Sequence, residues 1–216
     1  SVYTGIGSYC FEGCTSLTSV TFEQAGGWLM TEGLSLGAYA FSKTAITTFV
    51  FPDYIEYVIP YNQAGMIGNY ATYTPQIGEG CFKDCTALET VQFPESYPEE
   101  YSNDEFYILS SAFAGCTNLG GETGVFSLPE NFRGNYYMGG TWYRASNMFQ
   151  DCTNLKEVTF NVVDYAGSSS DLIWFSGCTN LETVNIVGTA DGNGDGAWIS
   201  GSMFEGLTSL KTVNII

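Results

Sequence analysis

The chain has 216 residues and a formal net charge of −17, from 23 acidic against 6 basic residues and no histidine. That balance argues against nucleic acid or an anionic membrane as partner, because such affinity rests on Lys and Arg displacing counterions, and it removes the usual general base of Ser or Cys nucleophilic triads. No apolar run approaches the ~20 residues that span a bilayer, no leader peptide is visible, and a hydrophobic content of 44% is ample for a core.

One phrase, Phe-x-x-Cys-Thr-x-Leu-x-x-Val-x-(Phe/Ile), then recurs from end to end. It opens with Phe11, Cys14, Leu17 and Phe22, and the second copy keeps Phe41 but carries Thr44 in the Cys slot and has one residue deleted before Phe49 and Phe51. Phe82, Cys85, Leu88 and Phe93 form the third. The fourth, Phe113, Cys116 and Leu119, has an extra stretch before Phe126 and Leu128. Phe149, Cys152, Leu155 and Phe160 follow, then Phe175, Cys178, Leu181 and Ile186, and last Phe204, Leu207, Leu210 and Ile215 with Leu in the Cys slot. Self-similarity at a period of tens of residues predicts stacked repeats rather than a compact enzyme.

Within each copy the last apolar residues alternate with a polar one, the period of a strand with one buried face. Val20 and Phe22 are expected to point inward and Thr21 outward. One such unit cannot bury that face alone, so neighbours stack with their strands in parallel, and seven strands at about 4.8 Å make a sheet roughly 30 Å across. Before each Phe a second pattern, Ile6-Gly7, Leu36-Gly37 and Ile77-Gly78, reads as a short extended piece on the opposite wall. Glycine there suits a backbone conformation or a close approach that a side chain would obstruct.

The order Ile-Gly-x-x-(Ala/Cys)-Phe-x-x-Cys-Thr-x-Leu-x-x-Val-x-Phe-Pro resembles the BspA-like, or treponemal-type, leucine-rich repeat over nearly the whole chain. The resemblance implies a leucine-rich-repeat solenoid, nominally of the α/β class but strand-dominated, with about seven stacked repeats, a parallel sheet on one wall and long irregular inserts along one edge. It further implies a bacterial or protozoan surface protein whose solenoid mediates adhesion or other protein binding. A single domain over residues 1–216 is expected, as a fragment of a longer chain or with its ends capped by packing between molecules.

The seven cysteines raise three chemistries. A four-thiolate zinc site from Cys10, Cys14, Cys81 and Cys85 suits soft ligands, but the pairs belong to the first and third copies, roughly 10 Å apart. Five cysteines share one repeat slot, as a buried ladder of small apolar thiols requires. Side chains in such a ladder project alongside one another and the total is odd, so free thiols are expected rather than disulfides. Asp191, Asn193 and Asp195 match the opening of a calcium loop, yet Ser202 stands where a bidentate Glu belongs and the same residues are good turn formers. No other cofactor is expected. No nucleophile elbow or phosphate-binding loop is present, and nothing singles out a carboxylate pair for glycoside chemistry, so an enzyme is not expected.

Two surfaces compete for a partner. The outward strand face reads as a polar ladder that includes Thr21, Thr90, Gln92, Glu157, Thr159, Thr183, Asn185, Thr212 and Asn214, which is equally what strand propensity selects on a solvated face. The spacers, among them 23–35, 53–76, 95–108 and 130–145, follow strands and are expected to emerge along one edge. They hold Trp28, Tyr54, Tyr57, Tyr61, Tyr97, Tyr101, Tyr136, Tyr137, Trp142 and Tyr143, residue types that favour interfaces or that fold back to hold long loops. The candidate partner is an extracellular or cell-surface protein; a glycan stacked on exposed rings is the second reading and a passive spacer the third.

Overall fold

The structure is a computed structural model, and it describes residues 5–22, 34–52, 76–93, 106–130, 132–138, 141–162, 173–188 and 202–216. Thirteen strands occur in chain order. They are β1 (Gly5–Ile6), β2 (Ser35–Leu36), β3 (Thr48–Val50), β4 (Gln76–Ile77), β5 (Thr90–Gln92), β6 (Phe106–Ile108) and β7 (Val125–Ser127). The remainder are β8 (Phe132–Arg133), β9 (Asn135–Met138), β10 (Thr141–Arg144), β11 (Glu157–Val162), β12 (Thr183–Gly188) and β13 (Thr212–Ile215). Among the described residues there is no helix, and so none long and apolar enough to cross a membrane.

The strands form two parallel walls. One carries β3-β5 and β7-β11-β12-β13; the opposite wall is the five-stranded sheet β1-β2-β4-β6-β8. The expected inward alternation holds in the inner coils, where Phe49, Val91, Val158, Phe160, Val184 and Ile186 are buried between the walls, whereas Val213 and Ile215 of the last strand are exposed. The first wall is not one uninterrupted sheet, however, and no strand is formed at Val20–Phe22. Its break between β5 and β7 has a local cause in the extra stretch of the fourth copy. Gly120 N–H donates to Glu89 of the preceding coil, whereas Gly124 C=O accepts from Lys156 and Glu157 of the next. The excursion between them, closed by Gly124 N–H to Gly120 C=O at 3.0 Å, takes one rung out of register.

The anchoring phenylalanines build the spine. Phe11, Phe41, Phe82, Phe113, Phe149, Phe175 and Phe204 stack in sequence with centroids 5.3, 5.7, 5.8, 5.7, 5.4 and 6.0 Å apart and near-parallel rings. Offset stacking at this spacing is a favourable aromatic geometry, and it is available because each Phe sits at the same corner of its coil. The corner has its own backbone solution. Residues two before and two after the Phe adopt positive φ, for example Tyr39 (56°) and Lys43 (60°), or Gly80 (57°) and Asp84 (59°). That twist aims the N–H groups of Tyr39, Phe41 and Lys43 at the carbonyls of Glu79, Cys81 and Lys83 in the next coil, at 2.8 to 2.9 Å.

The cysteine ladder bonds in the opposite sense. The thiols of Cys85, Cys116, Cys152 and Cys178 donate to the carbonyls of Phe41, Phe82, Phe113 and Phe149, at 2.9 to 3.1 Å. All seven cysteines are free; Cys81, Cys85, Cys116, Cys152 and Cys178 are buried, whereas Cys10 and Cys14 are exposed. Thr44, in the Cys slot of the second copy, meets Cys85 Sγ at 3.3 Å and keeps the polar link. The residue after Cys-Thr adds a third tie in two copies: Asn154 Nδ2 donates to Gly121 O at 2.7 Å and Asn180 Nδ2 to Thr153 O at 2.8 Å.

Glycine in the Ile-Gly pattern answers to close approach, not to φ. A Cβ on Gly78 would stand 2.6 Å from Gly37 C and 2.7 Å from Leu36 O, so the coils touch backbone to backbone there.

Candidate interaction surface

The spacer at 130–145 differs from its expected form and place. Rather than an irregular loop leaving the first wall, it contains β8, which pairs with β6 in the second wall, and then the antiparallel hairpin β9–β10. Gly134 follows β8 directly, and Ala145 N–H closes the base of the hairpin onto Gly134 C=O at 2.6 Å. Strands β9 and β10 are therefore inserted after the second-wall strand β8, just before the corner that leads to Phe149, and not on the edge where the first-wall strands end. Two aromatic pairs oppose each other across this hairpin, Tyr136 with Tyr143 and Tyr137 with Trp142. The sequence placed these four aromatics together in one spacer; their pairing arises from the hairpin register.

Beneath the hairpin base lies a residue that the repeat phrase does not single out. Trp174 is buried against Phe132, Phe160 and Phe175, and its indole N–H donates to Ala145 O at 2.8 Å. Its Cζ2 lies 3.2 Å from where a Gly134 Cβ would stand. The signal available in sequence was an aromatic directly before an anchoring Phe, where other copies carry Ala, Cys or Met.

On the first wall the polar ladder is partly consumed by its own bonds. Asn185 Nδ2 donates to Glu157 Oε1 at 2.8 Å and to Thr159 Oγ1 at 3.1 Å, and Asn214 Nδ2 donates to Asn185 Oδ1 at 2.7 Å. Glu157, Thr159, Thr183 and Asn185 are half-buried, whereas Thr21, Thr90, Gln92, Thr212 and Asn214 are exposed beside Val50 and Val125.

Of the other expected contact residues, Trp28, Tyr54, Tyr57, Tyr61, Tyr97 and Tyr101 lie outside the described residues, as do Asp191, Asn193 and Asp195. Tyr107, grouped by sequence with a spacer, is instead the middle residue of β6. Among the described residues no group of three His, Cys, Asp or Glu side chains is close enough to hold a metal ion.

A further pair stands at the first two corners. Tyr9 and Tyr39 stack at 5.4 Å with an interplanar angle of 6°, and Tyr39 Oη donates to Glu79 Oε1 at 3.2 Å. Burial, with the Glu79 carboxylate next in weight, raises the Tyr39 phenol above its ordinary value. Burial likewise drives the ladder thiols upward, Cys178 to about 12 and Cys116 and Cys152 well above the ordinary range, which leaves them protonated and chemically quiet at neutral pH.

No curated protein and no solved structure matches the chain. The BspA type leucine rich repeat region does, in six copies over residues 1–62, 68–119 and 142–197. The coil of Phe204, the seventh ring of the stack, lies beyond the matched residues. With the parallel two-walled coil, the Phe stack and the Cys ladder accounted for by that repeat, the chain belongs to the BspA-type leucine-rich-repeat family.

Proposed function

We propose that the protein is a non-catalytic interaction or adhesion module of a bacterial cell-surface or secreted protein, acting as one unit over residues 1–216. The observation that supports this reading is the β9–β10 hairpin, whose backbone register pairs Tyr136 with Tyr143 and Tyr137 with Trp142. Rings of this kind give large amphipathic contact area at low entropic cost. Charge supports a protein partner of basic character: segments 23–33, 53–75, 94–105, 163–172 and 189–201 together contain 13 of the 23 acidic residues and none of the 6 basic ones, a distribution that speeds encounter with a cationic surface.

The test is an array of extracellular-matrix proteins and oligosaccharides probed with the parent chain and with Tyr136→Ala/Tyr137→Ala/Trp142→Ala. A protein hit weakened tenfold or more in the variant, about 1.4 kcal/mol, is the expected result. A glycan hit moves the function to sugar binding. Unchanged affinity for an identified partner would make the hairpin structural and sink the reading.

A further inference from the structure

We propose that the first and last coils of the described solenoid are complementary docking faces, through which a second copy of this chain stacks head to tail. The contact uses neither the hairpin nor a foreign partner, so it stands or falls apart from the interaction-module reading. Inner coils are covered on both sides, whereas the coils of Phe11 and Phe204 have a neighbour on one side among the described residues. In the last coil Val213 and Ile215 pair with Val184 and Ile186 and hold the same inward slots. They are nevertheless 43% and 73% exposed, while Val184 and Ile186 are buried. In the first coil Phe11, Leu17, Val20 and Phe22 are packed against the core on one side only and remain half-buried. Core-type residues left open at both faces mark each as an association surface.

The two faces are the unlike halves of one repeated junction. At the first five junctions the N–H of the anchoring Phe donates to the carbonyl of the residue before the next anchoring Phe, from Phe11 to Ala40 O through to Phe149 to Trp174 O. Among the described residues Phe204 N–H makes no such bond, and Cys10 C=O receives none. The thiols bond in the opposite sense, as Cys178 does to Phe149 O. Cys14, in the same slot of the first coil, is exposed, and Phe204 is the anchoring residue whose carbonyl would face it. Stacking Phe204 of one copy on Phe11 of the next therefore brings ring to ring, N–H to carbonyl and thiol to carbonyl, as at the junctions inside the chain. A partner of another fold would have to reproduce all three. Because unlike faces meet, each added copy presents a fresh face, and the assembly is an open series rather than a closed dimer.

Electrostatics oppose the contact. Glu12 and Glu205 follow the anchoring Phe in the two coils and would stand side by side, on a chain of net charge −17. Burial of the apolar slots is the driving force, so added salt, which screens the repulsion, should strengthen association.

Sedimentation velocity of the 216-residue chain in reductant, from about 1 µM to about 1 mM, spans weak to moderate association. Monomer is expected to give way to dimer, trimer and longer species as concentration rises, and more so at high salt. Cys14→Asp spoils the first face and Ile215→Asp the last; both side chains are exposed, so both variants should melt as the parent does. Each alone is expected to associate at least tenfold more weakly, but an equimolar mixture should form a dimer and stop there, because one sound last face meets one sound first face. A parent that stays monomeric throughout overturns the proposal, and that series decides even where a variant melts early. So do association of either variant alone at parental strength, which would place the contact on like faces or elsewhere, and a mixture that forms no dimer or grows beyond it.

Discussion

Phe149→Ala tests whether the ring stack is the mechanical spine of the solenoid. The ring is fully buried, stacked on Phe113 at 5.7 Å and on Phe175 at 5.4 Å, with Phe126 edge-on at 5.8 Å. Truncating a buried Phe costs about 3–5 kcal/mol through lost transfer energy and the cavity left behind, and each favourable ring pair contributes about 0.5–1.5 kcal/mol beyond area. Two stacked pairs and one edge-on pair place this site near the upper end, about 5 kcal/mol. Phe204 is half-buried, with one stacked partner among the described residues, Phe175 at 6.0 Å, so the same change there should cost about 2 kcal/mol. A loss of 5 kcal/mol approaches the whole stability of many domains, and in a nearest-neighbour stack it falls on the coupling between the coils on either side. Urea unfolding followed by circular dichroism measures both variants. The expected signature in Phe149→Ala is a lower midpoint with a reduced m-value, because the coils no longer unfold together. Equal losses in the two variants, or a loss below about 2 kcal/mol at Phe149 with unchanged m, would refute the reasoning.

Two glycines separate space from conformation. Gly78→Ala meets backbone atoms at 2.6 Å and should cost about 3 kcal/mol by forcing coils apart, whereas Gly206→Ala has nothing within 4 Å but sits at φ 79° and should cost about 1 kcal/mol; thermal unfolding of the pair decides, and reversed order refutes the close-approach argument. Thiol reagent should label Cys10 and Cys14 rapidly in the folded protein and all seven only after denaturation without reductant, since five are buried and all are free; fewer than seven would reveal a disulfide. The raised thiols also set a pH dependence. Their folded-state pKa lies above the unfolded one, so above about pH 8.5 the unfolded chain has released protons that the folded chain keeps, and stability falls by up to about 1.4 kcal/mol per pH unit per thiol. For Cys178 that window runs from the unfolded value to about 12, and melting temperature in reductant should fall steadily from pH 8 to pH 10. A flat profile would refute burial as the cause.

Sequence alone determined the repeat, the inward positions of its strands, the second wall and the free thiol ladder. Each of these depends on apolar periodicity and slot identity, which are local and repeated, so Val158, Phe160 and Cys152 are marked as inward positions, but burial also needs a neighbouring coil: Cys14, Val213 and Ile215 hold the same slots in the end coils and are exposed. Position in space was another matter. The bonding of Cys152 to Phe113 O, the approach of Gly78 to Gly37 and the stacking of Tyr9 on Tyr39 join residues about 30 to 40 apart in the chain, and coil spacing sets those contacts, not local pattern. The hairpin shows the limit most clearly. Its aromatics were legible as a group, but whether residues 135–144 leave the first wall or the second depends on Phe132 pairing with Phe106. That choice is made by burial of Phe132 beside Trp174 in the tertiary core, a contact that no spacing within the spacer encodes.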